Sequence, residues 1–219
     1  MNIIQFENIS FSYGDGHKVF ESLDLDLPKK QRVGVIGDNG CGKSTLLHLG
    51  AAIIAPSMGH IRLHGQLCET KGDIVKLRRS LGYLLQNSED QLFCPTVLED
   101  IAFGPANYGD SLVEAEEKAR DIAKKFGIEH LLERSGISLS GGEKKLAALA
   151  AVMVTEPEFL FLDEPTNDLD GKSRASIASI LLESELPFIM VSHDELFLEE
   201  VCNICYLVEN YRLRTLWES

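Results

Sequence analysis

Gly37-Asp38-Asn39-Gly40-Cys41-Gly42-Lys43-Ser44 separates a compact apolar segment, Arg32 to Ile36, from a segment of helical length and composition, Ser44 to Ala52. Strand, glycine loop and helix in that order commit the chain to an α/β arrangement, because the helix must return across the sheet before the next parallel strand. The second half of the sequence repeats this alternation. Helices are expected over about 141–154, 173–185 and 194–201, and strands over 159–162, 188–191 and 204–208. Residues 111 to 126 carry Leu112, Ala115, Ala119, Ile122, Ala123 and Phe126 at helical spacing, with charged residues on the other face. The N-terminal region differs: Leu23-Asp24-Leu25-Asp26-Leu27 alternates strictly, as does the neighbourhood of Ile4 and Phe6, which predicts a sheet with one solvated face. His60-Ile61-Arg62-Leu63-His64 reads as another alternating strand.

The glycine loop also carries chemistry. It matches G-x-x-x-x-G-K-[ST], in which backbone N–H groups wrap a phosphate chain and the helix N-terminus faces the anion. Gly37, Asn39, Gly40, Cys41, Gly42, Lys43, Ser44 and Thr45 are therefore the expected ATP contacts, with Lys43 reaching the β and γ oxygens and the Ser44 hydroxyl offered to Mg2+. Asp163 ends the apolar run Phe159-Leu160-Phe161-Leu162 and is expected to give the second magnesium contact. Glu164, beside it, is expected to act as the general base on the attacking water.

Charge and composition limit the partners. Across 219 residues, 34 acidic side chains outnumber 21 basic ones for a formal net charge of -13, which opposes binding to nucleic acid or anionic lipid. The longest apolar run, Leu46 to Pro56, is interrupted by His48 and Gly50 and falls short of the ~20 residues a membrane span needs. No secretory pattern opens the sequence, so a cytoplasmic location is expected, with membrane attachment through a protein partner and no direct lipid insertion. The five cysteines suit reduced thiols. Cys202-x-x-Cys205 has the spacing of a redox couple or half a zinc site, but with no second pair at metal-ligand spacing it reads as a helix end entering an apolar strand.

Leu139-Ser140-Gly141-Gly142-Glu143 resembles the signature of ABC transporter ATP-binding subunits, and the remaining motifs follow in that family's order over nearly the whole chain. The resemblance implies the P-loop NTPase ABC-ATPase fold: a mostly parallel sheet flanked by helices, an N-terminal antiparallel β subdomain and a helical signature subdomain. One domain, residues 1–219, is expected, with the helical part at about 87–155 between the phosphate loop and Asp163. It also implies ATP hydrolysis with Mg2+, and a working site made by two subunits, identical or paralogous. Lys43, Asp163 and Glu164 of one would face Ser140, Gly141 and Gly142 of the other. By the same resemblance Tyr13 stacks on adenine, Gln86 senses magnesium and the membrane partner, His193 contacts the γ-phosphate, and Asp168 lies in a loop crossing the dimer interface.

Glu143 stands where the family more often has glutamine, and Asp168 where it often has a small residue. Both add negative charge near an interface that must hold ATP, and Lys144 and Lys145 are expected to offset that of Glu143. Gln86 through Pro105, with its D-Q-L-F, P-T-V, E-D and A-F-G-P steps, is similar to energy-coupling-factor importers. That similarity implies a transmembrane coupling protein, a membrane substrate-binding subunit, and cobalt, nickel or a vitamin such as biotin as cargo. Phe93, Val97 and Phe103 are candidate lining for the coupling protein's docking groove, or else small-core residues. Little sequence follows His193, so dimer contact is expected to rest on ATP and the membrane partner, leaving an isolated subunit largely monomeric. The competing reading is a soluble ABC ATPase acting on ribosomes or nucleic acid, which the acidic balance and the single copy of each motif disfavour.

Overall fold

The computed structural model describes residues 2–218. In chain order it contains β1 (Asn2–Ser12), β2 (Lys18–Pro28), β3 (Arg32–Ile36), α1 (Lys43–Gly50), β4 (Met58–Leu63), β5 (Gln66–Leu67), α2 (Lys71–Ser80), β6 (Leu81–Leu84) and α3 (Val97–Tyr108). There follow α4 (Leu112–Phe126), α5 (Gly141–Met153), β7 (Phe159–Asp163), α6 (Gly171–Ser184), β8 (Phe188–Val191), α7 (Glu195–Val201), β9 (Ile204–Glu209) and β10 (Arg212–Glu218). Two compact units emerge. The first comprises the residues up to Leu81, Glu158–Asp163 and those from Glu185 on; the second comprises Gly82–Pro157 and Glu164–Ser184.

The first unit is built on two sheets. The smaller is ordered β2-β1-β4-β5, with antiparallel pairs throughout, and its period-two strands bury Leu23, Leu25 and Leu27 while the intervening aspartates face water. The larger is ordered β10-β9-β3-β8-β7, with β6 next in the strand order. Its centre is parallel, β9 with β3, β3 with β8 and β8 with β7, and β10 folds back antiparallel on β9. Strands β7 and β8 are buried at every position, which is why they read as unbroken apolar runs. Helix α1 covers this sheet closely: a Cβ at Gly50 would come within 2.7 Å of both the Phe6 and Phe161 rings.

The second unit is a helical cluster. Val97, Ile101, Ala115, Ala119, Ala123, Leu131, Ala147 and Ala150 form its core. Helix α4 buries alanines at four-residue spacing, while Leu112, placed in the apolar stripe by its periodicity, is 74% exposed. Small side chains let α4 approach its neighbours closely. Helices α3, α4 and α5 all start with capping boxes, Thr96 with Glu99, Ser111 with Glu114 and Ser140 with Glu143, and each box satisfies backbone donors that the first turn leaves unpaired.

Candidate functional site

Parallel register sets the geometry of the first unit's part. Val191 is paired with Val35 on one side and with Asp163 on the other, so β3, β8 and β7 end together at one edge of the sheet. Gly37 and His193 leave from that edge, where open α/β sheets collect ligands. Two glycines make the turn into α1: Gly40 has φ 79° and Gly42 φ 109°, and a Cβ at Gly42 would lie 2.2 Å from Val19 Cγ1. Backbone conformation favours glycine at both positions, and space requires it at Gly42 as well.

Lys43 is 8% exposed and its ammonium donates to the carbonyl oxygens of Gly37, 2.7 Å, and Asp38, 3.1 Å. The Ser44 hydroxyl donates to Asp163 Oδ1 across 3.2 Å. Tyr13, in the turn between β1 and β2, shares a hydrogen bond of 2.8 Å with the Thr45 hydroxyl, and its ring, packed edge to face on Phe11 at 5.0 Å, stays 44% exposed. Burial pushes the Cys41 thiol above its ordinary pKa, so it adds no negative charge to the loop. His193 is exposed, one residue after the fully buried Ser192. Glu164 follows Asp163 with φ 46° and is 4% exposed.

These residues fit a magnesium nucleotide. The cradle is shaped by glycines with positive φ, an ammonium is held on its rim, and two hard oxygens 3.2 Å apart can share one cation with bonds of about 2.1 Å.

The second unit carries the other part. Ser140 caps α5, and Gly141 is exposed beside it. Gly142 is buried: a Cβ there would stand 2.1 Å from Ser173 Oγ on α6. Asp168 adopts φ 59°, a left-handed conformation that aspartate tolerates better than most residues, and this gives the unusual acid at this position a backbone reason. Gln86 is exposed in the loop after β6.

One expectation fails here. Lys144 and Lys145 do not neutralise Glu143. Lys144 pairs with Glu89, and Lys145, 4% exposed, donates to the carbonyls of Leu85, 3.3 Å, and Gln86, 2.7 Å. Arg134 supplies the charge instead, 3.4 Å from Glu143 Oε1. Successive residues of a helix point about 100° apart, so neither lysine shares a face with Glu143. Sequence reasoning also missed Gln91, whose side chain bridges Tyr83 O and Leu85 N and closes the loop bearing Gln86.

Two other motifs resolve differently. Val97 is fully buried core, whereas Phe93 and Phe103 are 63% and 46% exposed and packed edge to face at 4.9 Å. Cys202 and Cys205 pack where a Cβ on Gly34 would meet their sulfurs at 3.3 and 3.4 Å. Burial raises both thiols, Cys205 to about 11, leaving apolar protonated side chains.

The family model for the ABC transporter matches residues 20–167 of this sequence. The chain belongs to that family. Over 209 residues, 95% of this chain and 77% of the relative, it is 40% identical to a protein of Nitratidesulfovibrio vulgaris described only as a candidate ABC transporter ATP-binding protein. It is 41% identical to the energy-coupling factor transporter ATP-binding protein EcfA of Methanothermobacter thermautotrophicus, over 88% of this chain and 63% of that protein. Among solved structures it is similar to cbiO1 of Clostridium perfringens, part of the ABC transporter complex cbiONQ. The TM-score is 0.88 and the identity 31%, over 97% of this chain and 87% of the other.

This ABC protein therefore has the ABC-ATPase fold, binds ATP with Mg2+ and hydrolyses it as the ATPase subunit of a transporter. ABC ATPases work as dimers with transmembrane partners.

Proposed function

We propose that this ABC ATPase is the motor of an energy-coupling-factor importer, at the inner face of the cell membrane, taking up a transition-metal ion such as cobalt or nickel, or a vitamin such as biotin. The observation that carries the reading is the 41% identity to EcfA over 197 residues, which extends beyond the shared nucleotide motifs. The likeness to cbiO1 agrees with it. No helix among the described residues is long and apolar enough to cross a membrane, which supports attachment through a partner. The exposed Phe93 and Phe103 pair offers such a partner an apolar contact.

In this reading the Tyr13 ring carries the adenine, and the Gly37–Thr45 loop offers its N–H groups to the phosphates. The Lys43 ammonium exchanges the carbonyls of Gly37 and Asp38 for phosphate oxygens. Ser44 and Asp163, with Gln86 as the third candidate, would hold the magnesium, which would screen the charge of the transferred phosphoryl group. Glu164 accepts the proton of the attacking water, His193 steadies the γ-phosphate, and ATP and water become ADP and phosphate. Ser140, Gly141 and Gly142 of a second subunit close over the phosphates, with Asp168 at the crossing between subunits. Substrate binding thereby drives association, and product release reverses it.

The test is isolation of the intact complex from native membranes through a tag on this chain, with identification of its membrane subunits and bound solute. A coupling protein with a small substrate-binding membrane protein and a stoichiometric metal ion or vitamin is expected. Recovery with ribosomes, or with a permease lacking a separate substrate-binding subunit, would contradict the reading.

A further inference from the structure

The loop between β6 and α3 is tied at three points, all within the second unit. The Gln91 side chain accepts from Leu85 N at 3.2 Å and donates to Tyr83 O at 3.1 Å, fixing the loop's base. Lys144 pairs with Glu89, and its ammonium holds the Glu89 carboxyl below the usual carboxylate range. Lys145 is the third tie and the unusual one. It lies in the second turn of α5, just before the apolar run that begins at Leu146, and its ammonium is buried on the carbonyl oxygens of Leu85 and Gln86.

Burying an ammonium is expensive unless oxygen acceptors replace its water. Placing it on the backbone of Gln86 joins two parts with separate duties. Helix α5 begins at Ser140, Gly141 and Gly142, and rigid helices move as units, so displacement at that end is carried to Lys145 one turn along. The main chain of Gln86 is what Lys145 grips, which leaves the Gln86 side chain free to work while its position follows α5.

We propose that Lys145 is a positioning residue that couples the Ser140 end of α5 to Gln86, so that docking of a second subunit's nucleotide on α5 sets Gln86 for hydrolysis. The inference rests on the roles given above to Ser140 and Gln86. Lys145 touches neither nucleotide nor water in it.

The test is a cycle on the full chain: Lys145→Met, Lys145→Arg, Gln86→Ala and the double variant Lys145→Met with Gln86→Ala. Steady-state hydrolysis is measured against ATP and Mg2+ concentration, and nucleotide binding is measured without hydrolysis. Lys145→Met should lower kcat at least tenfold and raise the Mg2+ concentration for half-maximal rate, with nucleotide affinity changed less than twofold. Lys145→Arg should recover most of the rate. In the Gln86→Ala background Lys145→Met should add less than a twofold further loss. Equal losses in both backgrounds would overturn the coupling while leaving Gln86 its role. A Gln86→Ala variant with wild-type rate and Mg2+ dependence would instead overturn the underlying reading. Hydrogen exchange on the unmodified protein gives a measure independent of any variant's folding. Amides in 141–145 and 85–91 should gain protection together when nucleotide drives association, and protection of 141–145 alone would overturn the proposal.

Discussion

One oxygen of Glu143, Oε2, accepts both hydrogen bonds that Ser140 can donate, from its backbone N–H and from its hydroxyl, each at 2.8 Å. These are the donors that a phosphate docking on α5 would need, so Glu143 competes with the phosphate for them. Glutamine, common in the family at this position, lacks the charge that makes the competition strong. Glu143→Gln should therefore lower the ATP concentration for half-maximal association several-fold, since a hydrogen bond to a charged group is worth about 1.5–3 kcal/mol and much of it is regained elsewhere. Equilibrium sedimentation against ATP concentration checks this; unchanged or weaker association would count against the competition.

Acid should loosen the fold through the same caps. Hydrogen bonds from Ser140 depress Glu143 below its unfolded value; those from Thr70 and Ser111 do the same for Asp73 and Glu114. A depressed carboxylate contributes stability above its unfolded pKa of about 4 and loses it as pH falls through the lower folded value. Asp100, which burial raises, works oppositely, binding its proton at higher pH when folded. The melting temperature should accordingly fall progressively below about pH 4, and Glu143→Gln should flatten that slope. Thermal melts followed by circular dichroism from pH 6 to pH 3 measure both.

Gly142→Ala separates packing from propensity. Alanine favours a helix by about 1 kcal/mol over glycine, but its Cβ would land 2.1 Å from Ser173 Oγ and 2.7 Å from Ser173 Cβ. Overpacking typically costs about 1–3 kcal/mol, so net destabilisation is expected in urea unfolding. Because Cβ itself obstructs, Ser173→Ala should rescue poorly and Ser173→Gly well.

Tyr13 should act through its ring more than its hydroxyl. Tyr13→Phe removes only the bond to Thr45, worth about 0.5–1.5 kcal/mol, and should shift the affinity for a fluorescent ATP analogue less than threefold. Tyr13→Ala should weaken it at least tenfold; equal losses from both variants would place the effect in the hydroxyl.

Much of the architecture was legible because the strands of the first unit announce their burial. Period-two alternation marks the solvated face of β2, and unbroken apolar runs mark β7 and β8. Helix α3 contains Gly104-Pro105, a pair that masks helical periodicity in the sequence. The β9–β10 hairpin does not show in the sequence, because β10 is exposed at every position but the half-buried Leu213 and Trp217 and has no apolar face. For the candidate site, local order in sequence brought Ser44 near Asp163 into view, since motif and strand end are both local patterns. The partners of Lys144, Lys145 and Glu143 were not visible, because which way a side chain turns on a helix depends on tertiary neighbours. Likewise nothing local distinguishes buried Val97 from exposed Phe93.

Sedimentation velocity of Glu164→Gln, with and without Mg-ATP, tests the two-subunit site most directly. The variant should sediment as a monomer without nucleotide and as a dimer retaining ATP at saturating Mg-ATP, with hydrolysis nearly abolished. A monomer at saturating Mg-ATP, or hydrolysis at the wild-type rate, would contradict it.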